Sequence, residues 1–336
     1  MIGDFNLHAI INDFLMAIFF LYVGLEIKKE MLEGSLSSFK KASFPVIASL
    51  GGVIVPAIIF MMINRNTHYL PGVGVAISTD IAFVIGIFML FKSKLNSNLK
   101  IFLLSLAVVD DLISILAIVF LYSAKINMTA VMISVVILLI LMTLNKVFKV
   151  DNLYVYLFVG LLLWYFVYSS GIHATISGVL LAATIPSRKT DGEESTAVKL
   201  EHKLGKLSNL IILPLFAFAN TSIVLNLNIN VTDASNLVMG IICGLVIGKP
   251  LGVVSFSYIA TKLHIAEKDS WISITEVALL TGIGFTMSIF VSELAFAYDE
   301  NVINLAKISI LTASMISIML IHMALTLKHS PVGLMH

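Results

Sequence analysis

The sequence predicts an all-α polytopic membrane protein, and three observations carry that expectation. Of the 336 residues, 59% are hydrophobic and only 12% are charged, where an average soluble protein carries about 25% charged residues. The apolar residues gather into runs of the length a helix needs to cross a bilayer, about 20 residues. The runs also lack the alternating polarity of barrel strands.

About eleven such runs can be read, near 9–27, 43–63, 71–91, 100–122, 127–145, 152–168, 172–186, 206–226, 236–261, 272–296 and 302–327. The sixth and seventh are short, separated only by Ser169, Ser170 and Gly171. The longest polar connection, 187–206, mixes Asp, Glu and Lys and reads as a solvated loop entering an amphipathic helix. Lys and Arg divide unequally between alternate connections, seventeen on one side and three on the other, with Lys249 inside a span. By the positive-inside rule the crowded side is cytoplasmic. That puts the C-terminus inside and Met1 outside. An external N-terminus without a signal peptide suggests one more helix upstream; the alternative is a true eleven-span protein. The first nine residues, MIGDFNLHA, contain no Lys or Arg and do not read as a secretory signal.

Composition narrows function as well. The net charge of +1 gives no reason to expect a nucleic-acid partner. Cys243 is the only cysteine, so neither an internal disulfide nor a thiolate metal site is available. No cofactor is called for, and the reading is of a transporter, not an enzyme.

Four places inside the apolar runs need explaining. In LSLAVVDDLISIL, Asp110 and Asp111 lie mid-span. Ionised carboxylates there are expensive and functional by default. Asp80 follows Thr79 in GVGVAISTDIAFVIG. Lys249 lies in GLVIGKPLG, which misses a phosphate-binding loop by one residue of spacing and by Pro250 in place of Ser or Thr. Gly240, Gly244, Gly248 and Gly252 instead recur every four residues, a ridge that allows close helix contact. Lys249 beside it would face protein and take Asp110 or Asp111 as its partner. The tenth run carries TGIGFTM, with Thr281, Gly282, Gly284 and Thr286. Gly- and hydroxyl-interrupted spans in corresponding halves point to broken helices at a transporter's binding site.

Other ionisable residues read as ordinary when taken singly. Glu26 and Glu30 in GLEIKKE and Glu201 in KLEHKLG belong to the cytoplasmic side. His173 opens the seventh run, Asp13 lies near the outer end of the first, and Glu293 is deep with no assigned role.

The segments INDFLMAIFFLYVGLEIKKE, FPVIASLGGVIVPA, STDIAF, KIFLLSLAVVDDL, SGIHATISG, ILPLFAFAN, GLVIGKPLG and GIGFTMSIF resemble, in order, those of the NhaA-type sodium/proton antiporters. The resemblance implies one transporter domain over 1–336, with an inverted-repeat core at 43–122 and 236–327. Segments 9–27 and 127–226 would support it. Two inverted three-helix repeats would contribute broken helices that cross near the site. Asp111 would be the principal cation and proton ligand. Asp110 would be the second carboxylate, paired with Lys249, and Thr79 and Asp80 would complete the site. Regulation by pH would involve Glu26, Glu30, Glu201, His202 and His173. Na⁺ or Li⁺ would be exported against H⁺ across the bacterial inner membrane, serving pH homeostasis and salt tolerance, in a lipid bilayer and as a homodimer.

The chain departs from the family in two ways. It lacks the first of twelve helices, so only MIGDFNLHA remains of the hairpin used for dimer contact. Gly205 stands where another histidine is common. A proton-coupled solute symporter and an inactive truncated antiporter are the alternative functions. An intramembrane aspartyl protease is excluded, because GIGF lacks the Asp of a Gly-x-Gly-Asp motif.

Overall fold

The structure is a computed structural model and describes residues 10–96, 99–122, 126–188, 194–220, 231–263, 270–297 and 299–328. All regular structure among these residues is helical. Apolar side chains that a soluble protein would hide lie on the outside, including Phe120, Tyr154, Phe158 and Phe218. Aspartate, lysine and serine lie fully buried within. This inversion suits a lipid solvent, and the chain is a multi-pass membrane protein.

Among the described residues six helices are long and apolar enough to cross a membrane. A seventh crossing is a helix pair bent by 46° at a short break. The remaining apolar runs form shorter helices, and the run at 206–226 ends outside the described residues.

The helices sort into two compact units. The first comprises residues 1–34 and 115–221. It contains α1 (Met16–Leu32), entered through a π-helical turn at Ile10–Leu15. α2 (Phe39–Ile63), α3 (Val73–Ile77), α4 (Ile81–Leu90) and the start of α5 (Leu99–Tyr122) belong to the second unit. The first unit then resumes with α6 (Met128–Lys146), α7 (Leu153–Ser169), α8 (Ile176–Thr184), α9 (Thr196–Leu207) and α10 (Leu213–Asn220). Side chains cap several of these helices, satisfying N–H groups that lipid cannot. Asn127 accepts from Thr129 N (3.1 Å), Asn152 from Tyr154 N (3.0 Å) and Ser195 from Val198 N (3.4 Å). The Lys28 ammonium donates to the carbonyls of Ala182 (3.3 Å) and Ala183 (3.0 Å) at the end of α8, where Ala182 O also accepts from Ile185 N (3.3 Å). Leu21, Leu25, Leu141, Tyr156, Leu163 and Ala182 share the core. Gly178 lets α8 lie on α1, since a Cβ there would stand 2.2 Å from Ala17 O.

The second unit, residues 35–114 and 222–336, adds α11 (Val231–Ile242), α12 (Lys249–Lys262), α13 (Trp271–Thr281), α14 (Phe285–Ala295) and α15 (Glu300–Lys328). A π-helical stretch, Cys243–Gly248, joins α11 to α12. The glycine ridge does what its spacing suggested. Successive glycines meet Phe60 and Asn64 (Gly240), Ala76 (Gly244), Pro56 (Gly248) and Gly51 (Gly252). The backbones of α2 and α12 thereby pack in direct contact.

Candidate functional site

Two spans of the second unit are interrupted at mid-length. Between α3 and α4, Ser78, Thr79 and Asp80 leave the helix, and Ser78 and Asp80 adopt extended backbone. Between α13 and α14 the interruption is Gly282, Ile283 and Gly284. The two breaks meet. Asp80 N donates to Ile283 O (2.9 Å), and the Thr79 hydroxyl lies 3.1 Å from Thr281 O. Ser288 Oγ reaches back to Val75 O (2.9 Å). Each break therefore consumes carbonyls and amides that the other has freed, which lets non-helical backbone survive at membrane depth.

Asp80 holds the crossing together electrostatically. One carboxylate oxygen accepts from Phe83 N (3.0 Å), capping α4. The other accepts from Thr286 N (2.8 Å) and from the Thr286 hydroxyl, at the start of α14. A helix N-terminus carries roughly +0.5 charge. Two of them converging on one buried carboxylate offset its negative charge without a counter-ion.

The remaining charges lie on α5 and α12. Lys249 Nζ pairs with Asp110 Oδ2 at 2.5 Å, both side chains 1% exposed. Lys249 also donates to the Thr79 hydroxyl, whose own proton faces Asp110 Oδ2 and Thr281 O. Asp111, likewise buried, acts electrostatically on Lys249. Asp110 Oδ1 is buried with no hydrogen-bond partner among the described residues. Ionised, Asp110, Asp111 and Lys249 together carry a net charge of −1, Asp80 being offset separately by the two helix N-termini. The structure thus brings Asp110, Asp111, Lys249, Thr79 and Asp80 to one place.

The expected regulatory residues lie elsewhere, in the first unit. Lys29 Nζ pairs with Glu201 Oε2 at 2.7 Å. Glu26 interacts with Glu201, Glu30 and Lys29, and Tyr22 hydrogen-bonds to it. His202 is exposed on α9, and His173 is half-buried in the turn before α8. The acids therefore gather around Lys29, whereas the histidines make none of these contacts.

Three features escaped sequence reading. Thr286 proves to be the partner of Asp80, signalled only by its place in TGIGFTM. Glu293, left without a role, pairs with Lys307 at 2.6 Å. Glu276, buried on α13, pairs through Oε1 with Lys328 at 2.7 Å, near the end of α15. No local sequence signal marked that pair.

Two interrupted spans crossing beside a buried carboxylate pair and lysine define a secondary ion transporter built on broken helices. The comparisons with known proteins agree. Residues 1–325 match the family described as Na+/H+ antiporter 1. A Na(+)/H(+) antiporter NhaA 2 of Aliarcobacter butzleri is 47% identical over 95% of this chain and 82% of its own length. The Na(+)/H(+) antiporter NhaA of Pelagibacter ubique is 45% identical over 94% of this chain and 83% of its own. That of Helicobacter pylori strain 26695 is 40% identical over 94% and 82%. The chain belongs to the Na+/H+ antiporter 1 family.

Proposed function

We propose that this chain exchanges Na⁺, or Li⁺, for H⁺ across the bacterial inner membrane at Asp110 and Asp111. The observation that carries the reading is the burial of two adjacent carboxylates, Asp110 and Asp111, beside one buried ammonium, Lys249. Ionised, these three leave a net charge of −1, apart from Asp80, whose charge the two helix N-termini offset. One monovalent cation neutralises that charge, and so does one proton. The two ions therefore compete for one site, and competition with alternating access gives exchange without ATP.

Asp111 is the principal ion-binding carboxylate in this reading, and Asp110, paired through Oδ2 with Lys249 and Thr79, is the second. When a cation draws Asp110 away, Lys249 loses its counter-charge and its proton becomes expensive to keep. A proton released there, in addition to one from Asp111, would make exchange electrogenic. A membrane potential would then drive it at about 2.3 kcal/mol per charge per 100 mV. Asp80 and Thr79 hold the crossing in register. The acidic group around Lys29 supplies pH control, with His202 and His173 as further titrating groups. The protein works in the bilayer with its C-terminus in the cytoplasm.

Everted vesicles with a pH-sensitive dye test the reading. Sodium should dequench an established pH gradient, and Asp111→Asn should abolish the response. Sodium-triggered dequenching that survives Asp111→Asn would sink the site assignment, and no response to Na⁺ or Li⁺ at any pH would sink the exchange itself.

A further inference from the structure

Ser114 follows Asp110 by four residues and Asp111 by three on α5. Residues so spaced share a helix face, with Cβ atoms about 5–6 Å apart. Its side chain is buried, and its hydroxyl has no hydrogen-bond partner among the described residues. Ser208, Ser257, Ser314 and Ser317 also have buried hydroxyls without a partner among the described residues. What distinguishes Ser114 is its place one turn from Asp110 and Asp111. Many other hydroxyls return their proton to the carbonyl four residues back. Ser105 on the same helix donates to Ile101 O (2.8 Å), Ser78 to Gly74 O (2.9 Å) and Ser134 to Ala130 O (2.9 Å). Ser114 makes no such bond to the carbonyl of Asp110. A buried hydroxyl without a partner is destabilising, and alanine would fill the place without that cost.

One turn away, Asp110 Oδ1 is in the same condition. Two uncommitted oxygens therefore occupy one face of one helix beside a cluster of charge −1. One is anionic and one is neutral. A hard monovalent cation binds oxygen of both kinds, whereas a proton needs only a carboxylate. We infer that Ser114 is a further ligand for the transported cation and sets its affinity relative to the proton. This rests on the exchange reading above and adds a ligand to it.

The test compares Ser114→Ala, Ser114→Cys and Ser114→Thr in the full chain. Two measurements are made: the Na⁺ concentration giving half-maximal dequenching in everted vesicles, and equilibrium binding of radioactive sodium to purified protein at alkaline pH. Alanine removes the oxygen, and cysteine replaces it with a soft sulfur of similar size, a poor partner for a hard cation. Both should raise the half-saturating concentration and the dissociation constant about fivefold, equivalent to about 1 kcal/mol. Threonine keeps the hydroxyl and should stay within about twofold of the parent. The melting temperature of Ser114→Ala should be unchanged or higher, because the hydroxyl it removes has no partner.

Unchanged sodium binding in Ser114→Ala overturns the inference. So does threonine being as impaired as alanine, or a fall in melting temperature that accounts for the loss. If the parent binds sodium but does not exchange it, the exchange reading fails while the binding comparison still decides the role of Ser114. If the parent binds no sodium, both fall.

Discussion

At the scale of single residues, the buried ion pair between Lys249 and Asp110 is the largest electrostatic commitment in the second unit. Taking two charges out of water is costly, and the attraction between them repays this only with good geometry and further hydrogen bonds. Thr79 supplies those bonds to both partners. Removing one partner should therefore be worse than removing both. Lys249→Met leaves the Asp110 carboxylate buried without its cation and should cost on the order of 3–5 kcal/mol. Combining it with Asp110→Leu should recover at least half of that loss, read as melting temperature in detergent. A double variant as unstable as the sum of the singles would mean that the pair is not coupled. The same economics explain what sequence reading found. Asp80, Asp110, Asp111 and Lys249 stand out because each is an isolated expense in an apolar run. Glu276 and Lys328 do not, because a charge near the end of a span looks solvated until the fold shows what it touches. Those partners lie 52 residues apart, and only the packing of α15 on α13 joins them. Breaking that pair gives a milder prediction. Lys328→Ala strands a buried carboxylate whose other oxygen, Oε2, has no hydrogen-bond partner among the described residues, and should cost about 1–3 kcal/mol. Glu276→Gln in the same background should restore most of it.

At the scale of elements, the second unit depends on backbones in contact. In lipid there is little hydrophobic drive between helices, so small residues and close packing must supply the association. Gly51 and Gly252 face each other across α2 and α12 so closely that a Cβ on Gly252 would lie 2.0 Å from Gly51 O. The obstacle is backbone and cannot swing aside. Gly252→Ala should therefore force the helices apart, costing about 3 kcal/mol or more, at or above the upper end of the overpacking range. Lys249 sits one turn earlier on the same helix, so the displacement should also weaken its pairing with Asp110. Gly86 on α4 is the control. Nothing lies within 4 Å of a Cβ there, and alanine should stabilise that helix by up to about 1 kcal/mol. Thermal unfolding of both variants checks the contrast, and similar melting temperatures would refute it. The ridge itself was legible, because four glycines at every fourth position have no role in an isolated helix. The π-helical stretch Cys243–Gly248 within it was not. Spacing identifies a face but not a local change of pitch, which depends on what the neighbouring helix presents. The breaks divide in the same way. Thr79–Asp80 and TGIGF advertise interrupted helices, whereas their mutual hydrogen bonding and the double capping by Asp80 need two segments some 200 residues apart in the chain to meet.

At the scale of the whole molecule, the distribution of basic residues is the one property that no single site controls. Seventeen Lys and Arg fall on one side of the expected spans and three on the other, apart from the buried Lys249. Because membrane insertion reads the Lys and Arg of short loops near the spans, a difference of this size should fix a single orientation. That orientation would set the direction in which α13 and α15 run, and hence which membrane face each of their two ion pairs approaches. Lys307 and Lys328 are 21 residues apart on α15. At 1.5 Å per residue that is about 30 Å, close to the thickness of the hydrocarbon core. The pairs Glu293–Lys307 and Glu276–Lys328 therefore tie the two halves of the bent span to one continuous helix, near opposite faces of the bilayer. On the proposed orientation, Lys328 should lie on the cytoplasmic face and Lys307 toward the outer one. Reporter fusions check this directly. Green fluorescent protein joined after Lys328 should fluoresce, and alkaline phosphatase joined after Thr67, between α2 and α3, should be active. Phosphatase joined after Lys149, between α6 and α7, should be inactive. The opposite pattern at all three points would reverse the molecule in the membrane and exchange the inner and outer assignments of both ion pairs. A mixed pattern would show that the number of crossings between these points differs from the one read in the sequence.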